Sequence, residues 1–297
     1  MRKARRIAII GMVVSGLLAL IKITAGWRAG SSSVLADGFE SAADVFASGL
    51  VLVGLIIAAR PADHDHPYGH GRVETLTGLL IGFFLLIAGG LIAWHGITGA
   101  SDALVPAWWA LIPLVVSIAA KCGLVALKYR HGKAIGSESL VADAANDAID
   151  ILSGLVALGA LSLTLWSPER FRHADHYGAF AVGLIVMVTA VRVTHNAALH
   201  LMDTMPDDSA VERIRQTALS VANVRGVEKC FARKTGLKYH VDLHLEVDPD
   251  ISVRDGHEIA QNVRERMKER LPWVADVLVH VEPWPGVAQP VSPPRSA

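Results

Sequence analysis

The sequence predicts a molecule in two parts: a membrane-embedded all-α domain of six transmembrane helices, then a C-terminal α+β domain with element order αββαβ. Three observations predict it. Hydrophobic residues make up 52% of the 297 residues and charged residues only 19%, with a mean hydropathy of +0.39, too apolar for a soluble globule. Six stretches are long enough to cross a hydrocarbon core of about 30 Å, which takes roughly 20 helical residues. After Asp203 the texture changes to charged residues throughout, with apolar residues at surface-element spacing.

The spans fall near 7–26, 34–59, 75–98, 105–128, 139–165 and 178–201, in a membrane domain of residues 1–203. Arg2, Lys3, Arg5 and Arg6 precede an apolar run that is too long for a signal peptide and has no obvious small-residue cleavage site. It reads as a retained first span. An even number of spans puts both termini on one side. That side carries the four N-terminal basic residues, Arg60 and Arg72 in the 60–74 loop, and Lys128, Arg130 and Lys133 after span 4. The other side carries Arg28, Arg170 and Arg172. The positive-inside rule therefore predicts a multi-pass protein of the cell (inner) membrane with cytoplasmic termini.

Residues 204–284 read as the soluble domain. Residues 209–222 suit a helix, and 224–233 and 238–248 suit two strands around a Thr235-Gly236 turn. The second strand alternates Tyr239, Val241, Leu243, Leu245 and Val247 against His240, Asp242, His244 and Glu246. An amphipathic helix over 253–270 stops before Pro272, and 274–282 is a last strand. The Pro-rich tail, 285–297, is expected to be disordered. Lys+Arg and Asp+Glu balance at 28 each, so charge gives no case for nucleic acid. Cys122 and Cys230 are far apart and in no CxxC spacing, which argues against a disulfide framework, a cysteine zinc cage or a thiol redox centre.

The most informative pattern is a repeat: Ala36-Asp37-x-x-Glu40-x-x-x-Asp44 in span 2 and Ala142-Asp143-x-x-Asn146-x-x-x-Asp150 in span 5. Positions i and i+4 share a helix face, so Glu40 projects with Asp44 and Asn146 with Asp150. Two such helices face to face would build a cage of four oxygen ligands. An ionisable group near the bilayer centre costs at least about 2.5 kcal/mol, so these acids need a counter-charge. Lys22 and Arg192 read as the only deep cations, and each can snorkel to a helix end. A divalent ion, or protons, is the better counter-charge. Asp37 and Asp143, nearer their helix starts, also suit an N-terminal dipole role.

The loop Pro61-Ala62-Asp63-His64-Asp65-His66-Pro67-Tyr68-Gly69-His70-Gly71-Arg72 packs three histidines and two aspartates into eight positions. Imidazole with carboxylate is a ligand set for zinc, iron, cobalt, nickel or manganese, though a solvated linker has the same composition. In the soluble domain His244 sits on a strand, His257 on a helix, and His280 and Glu282 on one face of the last strand.

With these residues in view, the chain resembles the cation diffusion facilitator family over about residues 5–284: six spans, the loop PADHDHPYGHGRVE, the paired acids, and an LMD-TMP exit into an αββαβ domain. The resemblance implies a transport site at Glu40, Asp44, Asn146 and Asp150 and a loop site at Asp63, His66 and His70. It also implies a ferredoxin-like cytoplasmic domain that pairs as a homodimer, with ligands at His244, His257, His280 and Glu282. One usual histidine of that domain is replaced by Glu228, and Arg72 and Asp203 match a structural charge pair of the family.

The expected activity is efflux of a divalent metal ion, Mn2+, Fe2+, Zn2+, Co2+ or Ni2+, with protons as counter-ion and the lipid bilayer and a second copy as partners. The four-ligand set contains no histidine, and an all-oxygen set favours manganese or iron by ligand softness. A metal sensor or scaffold that binds without transport is the alternative. A metalloprotease is disfavoured because His257-Glu258-Ile259-Ala260-Gln261 lacks the second histidine of HExxH.

Overall fold

In a computed structural model of the chain, residues 2–99, 105–135 and 138–286 are described. The expected tail lies outside the described residues from position 287 onward. The apolar runs form six helices: α1 (Arg2–Ala29), α2 (Ser32–Ala58), α3 (Arg72–Thr98), α4 (Leu111–Ile135), α5 (Glu138–Trp166) and α6 (Ala174–Leu201). All six are long and apolar enough to cross a membrane. Each continues past its apolar run, because a backbone amide that leaves the helix at membrane depth loses its partner, whereas polar helix ends reach water. A 3-10 turn, Trp108–Ala110, leads into α4.

Small residues let these helices approach closely, since lipid supplies no hydrophobic drive to press them together. On α3, Gly82, Gly89 and Gly96 recur at two-turn intervals and meet α6. A Cβ at Gly89 would lie 3.0 Å from the Gly183 carbonyl oxygen, and one at Gly96 would lie 2.6 Å from the Phe180 nitrogen. No larger residue fits there without moving a helix.

The chain divides into two compact units, Met1–Gly54 with Thr77–His195, and Leu55–Leu76 with Asn196–Ala297. The loop between α2 and α3 thus groups with the C-terminal domain rather than with the membrane domain that the sequence drew to residue 203.

The C-terminal domain has the expected order: α7 (Asp208–Leu219), β1 (Gly226–Thr235), β2 (Lys238–Val247), α8 (Val253–Arg270) and β3 (Val274–Pro283). β1 and β2 form an antiparallel hairpin whose two-residue loop starts with Gly236 at φ 68°, the left-handed conformation such loops ask of glycine. α8 is the crossover that lets β3 pair parallel to β2. Ser252 caps α8 by accepting from the Asp255 amide at 3.2 Å while its hydroxyl donates to the Asp255 carboxylate. Val241, Leu243, Leu245 and Val247 point to one face and pack on Ile214, Ile259, Val263 and Met267. The alternate residues, His240 to Glu246, lie on the face that the helices leave uncovered.

Candidate metal sites

α2 and α5 run antiparallel, so residues ascending along α2 meet residues descending along α5. Ser33 Oγ donates to the Ala157 carbonyl at 3.3 Å, Ser153 Oγ donates to Glu40 Oε1 at 2.7 Å, and Asp44 comes within hydrogen-bonding reach of Asp150. Glu40 is 5% exposed and its Oε2 is a buried oxygen with no hydrogen-bond partner. Asp150 is buried, whereas Asp44 is half-buried and Asn146 is exposed. Exposure therefore rises along both helices in one direction, toward the α2 C-terminus and the α5 N-terminus.

Three of the four expected ligands thus share a buried patch, and Asn146 stands one turn away on its open side. Their donor atoms are not gathered around a point. Among the described residues, only two groups of three have donor atoms within 4.8 Å of one another, and neither is intramembrane.

The deep counter-charges differ from those the sequence suggested. Lys22 does not snorkel: it is 2% exposed, pairs with Asp37 Oδ2 at 2.7 Å and donates to Ser41 Oγ at 2.7 Å. Arg192 is exposed. Two further lysines are buried, Lys121 and Lys128. Lys121 donates to Asp150 Oδ2 and, at 2.8 Å, to Asp147 Oδ1. Lys128 pairs with Asp147 Oδ2 and, at 2.8 Å, with Asp143. Lys128 is therefore no loop charge, and Asp147, one residue past Asn146, is the buried acid of that turn. The signal was in the sequence: lysines seven apart on α4 face acids at spacings of four and three on α5.

The α2–α3 loop brings Asp63, His66 and His70 together as one of the two compact groups. The His66 amide and ring Nδ1 lie 2.7 Å and 3.1 Å from Asp63 Oδ1, and His70 Nε2 lies 3.4 Å from Asp63 Oδ2. The backbone hydrogen bond from His66 holds the Asp63 carboxyl below the usual carboxylate range. His70 Nδ1 lies 3.3 Å from the Pro61 carbonyl oxygen, which can only accept. An Nδ1 proton held there would leave Nε2 to serve as the ligand atom, the arrangement a histidine ligand uses. His64 pairs with Asp65 at 3.4 Å, outside this group. Immediately after the loop, Arg72 meets Asp203 at 3.0 Å.

The second group, His244, His280 and Glu282, lies on the uncovered sheet face, where register places His244 beside His280. Both rings lean on Glu282 Oε1, His244 Nδ1 at 2.6 Å and His280 Nε2 at 3.4 Å. A hydrogen bond shared with Glu228, then the one from His244, keeps the Glu282 carboxyl below its ordinary range. Glu228 thus joins this cluster from β1. His257 does not: it is exposed on α8, which packs on the opposite sheet face, and its Nε2 lies 3.4 Å from Gln261.

Residues 8–202 match the family described as cation efflux transmembrane domain, and residues 206–284 match cation efflux protein, cytoplasmic domain. Metal tolerance protein C1 of Arabidopsis thaliana is 32% identical over 92% of this chain, which spans 61% of that protein's length. Manganese efflux system protein MneP of Bacillus subtilis is 28% identical over 95% of this chain and 96% of its own. Cation-efflux pump FieF of Pectobacterium atrosepticum is 27% identical over 93% of this chain and 91% of its own. Among solved structures, the chain is similar to MamM-CTD 215-293 at 30% identity and a TM-score of 0.26, over 26% of this chain and 100% of that one.

Proposed function

The chain belongs to the cation efflux family, the cation diffusion facilitators, and from that premise we propose that it exports a divalent transition-metal ion in exchange for protons. The observation that carries the proposal is the convergence of Glu40, Asp44 and Asp150 in a buried patch between antiparallel helices, with Glu40 Oε2 left without a partner. A buried carboxylate oxygen with no donor costs free energy that a cation recovers.

The substrate ion enters from the side where Asp44 and Asn146 are more exposed, the side we assign to the cytoplasm from the basic residues. Binding draws the carboxylates together, and rocking of the helices opens the other end. Protons then compete with the ion for the same oxygens, because a ligand carboxylate must be deprotonated to bind. That competition couples the two gradients. Each proton moving inward contributes about 2.3 kcal/mol per 100 mV of membrane potential. The oxygen-only donors favour Mn2+ and Fe2+ over Zn2+, Co2+ and Ni2+, in line with the likeness to a manganese efflux protein.

The loop group at Asp63, His66 and His70 holds a second ion near the membrane surface. The cytoplasmic domain pairs as a homodimer whose cluster, Glu228, His244, His280 and Glu282, senses cytoplasmic metal. Glu228 makes that cluster richer in oxygen and shifts it, too, toward harder ions. These two groups are the closer-packed donor sets, which is the observation that favours a sensor or scaffold as second reading.

Metal uptake into inside-out proteoliposomes under an imposed pH gradient separates the readings. The native chain takes up Mn2+ only with the gradient, and Asp150→Ala or Asp44→Ala abolishes uptake while the protein still purifies as a dimer. Binding without uptake by the native chain would leave the sensor reading standing.

A further inference from the structure

Six acids in the facing stretches 37–44 of α2 and 143–150 of α5 meet three lysines among the described residues, and the pairing is not even. Asp37 is matched by Lys22. Asp147 is matched by Lys128, which also reaches Asp143, a side chain 45% exposed to solvent. Glu40, Asp44 and Asp150 are left with one cation, Lys121, which holds Asp150 Oδ2. When ionised, these four groups carry two net negative charges, the amount one divalent ion neutralises.

Resting on the proposed transport site, we propose that Lys121 is its built-in counter-cation: its ammonium holds Asp150 while the site is empty and competes with the substrate ion for that carboxylate. Geometry supports this role. Lys121 is 3% exposed near the middle of α4, so it cannot withdraw to water, and Asp150 and Asp147 are its two acceptors. The other Asp150 oxygen, Oδ1, is left to turn toward Asp44 and Glu40. Held this way, Asp150 reaches Asp44 but does not close a three-carboxylate cluster with Asp44 and Glu40 among the described residues. Without Lys121 the bare carboxylates would bind a divalent ion too tightly to release it. A fixed charge a few ångströms from the ion, in a site of reduced dielectric, opposes binding by more than a factor of ten.

Lys121 is thus a positioning and affinity-setting residue rather than a ligand. Lys128, in the same stripe but paired only with Asp143 and Asp147, is the internal control. The test measures Mn2+ binding to the full-length protein in detergent by competition with a fluorescent chelator. The component lost in Asp150→Ala defines the α2–α5 site. If that variant loses no component, the transport-site reading itself fails, whatever Lys121 does.

With the component defined, Lys121→Met tightens it by at least about tenfold and slows Mn2+ release. Lys121→Arg, which keeps the charge, restores native affinity, and Lys128→Met changes it far less. Lys121→Met/Asp147→Asn keeps the buried charge count and shows the same tightening if the single variant is unstable. Unchanged or weaker binding in Lys121→Met or its charge-balanced double, or equal tightening in Lys128→Met, overturns the proposal.

Discussion

The buried acids of this chain are each defined by what stands opposite them. Asp37 meets an ammonium 2.7 Å away, Glu40 meets a serine hydroxyl on one oxygen and nothing on the other, and Asp150 meets Lys121. Of the six acids in the facing stretches of α2 and α5, Glu40 and Asp44 are the two left without a fixed cation among the described residues, which is where a mobile one is needed. Lys22 and Asp37 play the opposite part. Both are 2% exposed at the side chain, so removing one strands the other in a medium that solvates it poorly. Lys22→Met is expected to lower stability by about 3–5 kcal/mol, and adding Asp37→Asn to recover most of it. Thermal unfolding in detergent reads both. A double variant as unstable as the single would mean that Lys22 acts through packing, not charge.

Elements carry a different kind of information. The acids on α2 and α5 are legible from period alone, because a helix repeats every turn and the pattern lies in both segments at one offset. The α4 lysines have an equally regular period, but their meaning depends on α4 lying beside α5. In the soluble domain α8 docks on β3 through Asp276, which receives Arg264 Nε at 2.8 Å and Arg264 Nη2 at 2.9 Å and pairs with Lys268 at 2.8 Å. Partial burial alone would raise the Asp276 carboxyl, yet the hydrogen bonds from Arg264 and Lys268 outweigh it and hold the group far below the usual range. A depressed folded-state value means that stability is gained above the unfolded pKa of about 3.9 and lost as pH falls through the folded value. Asp276→Asn should therefore lower the melting temperature of the cytoplasmic domain at pH 7, with the difference shrinking steadily below about pH 4. A difference as large at pH 2 as at pH 7 would place the effect elsewhere.

At the scale of the whole molecule, the loop after α2 and the end of α6 lie in one unit with the C-terminal domain, and Arg72 with Asp203 ties them. Both side chains are about half exposed, so the pair adds no more than about 1 kcal/mol to stability. Its value lies in register: it fixes where the loop group meets the exit of the last span. Arg72→Asp and Asp203→Arg are each expected to cut Mn2+ uptake several-fold with little change in melting temperature, and the charge swap to recover much of it. Uptake unaffected by either single change would make the pair incidental.

Local pattern was enough for the six spans, the αββαβ order, the acid pairs and the crowding of histidine and aspartate in the 63–70 loop. Each rests on a local period or a short spacing, and these survive without knowledge of neighbours. Packing settles which acids keep a lysine and which do not, that Asn146 is open while Asp147 is buried, and that His244, His280 and Glu282 come together with Glu228 while His257 stays apart. Those outcomes turn on which helix or strand lies alongside, and a buried charge takes its character from groups far away in the chain.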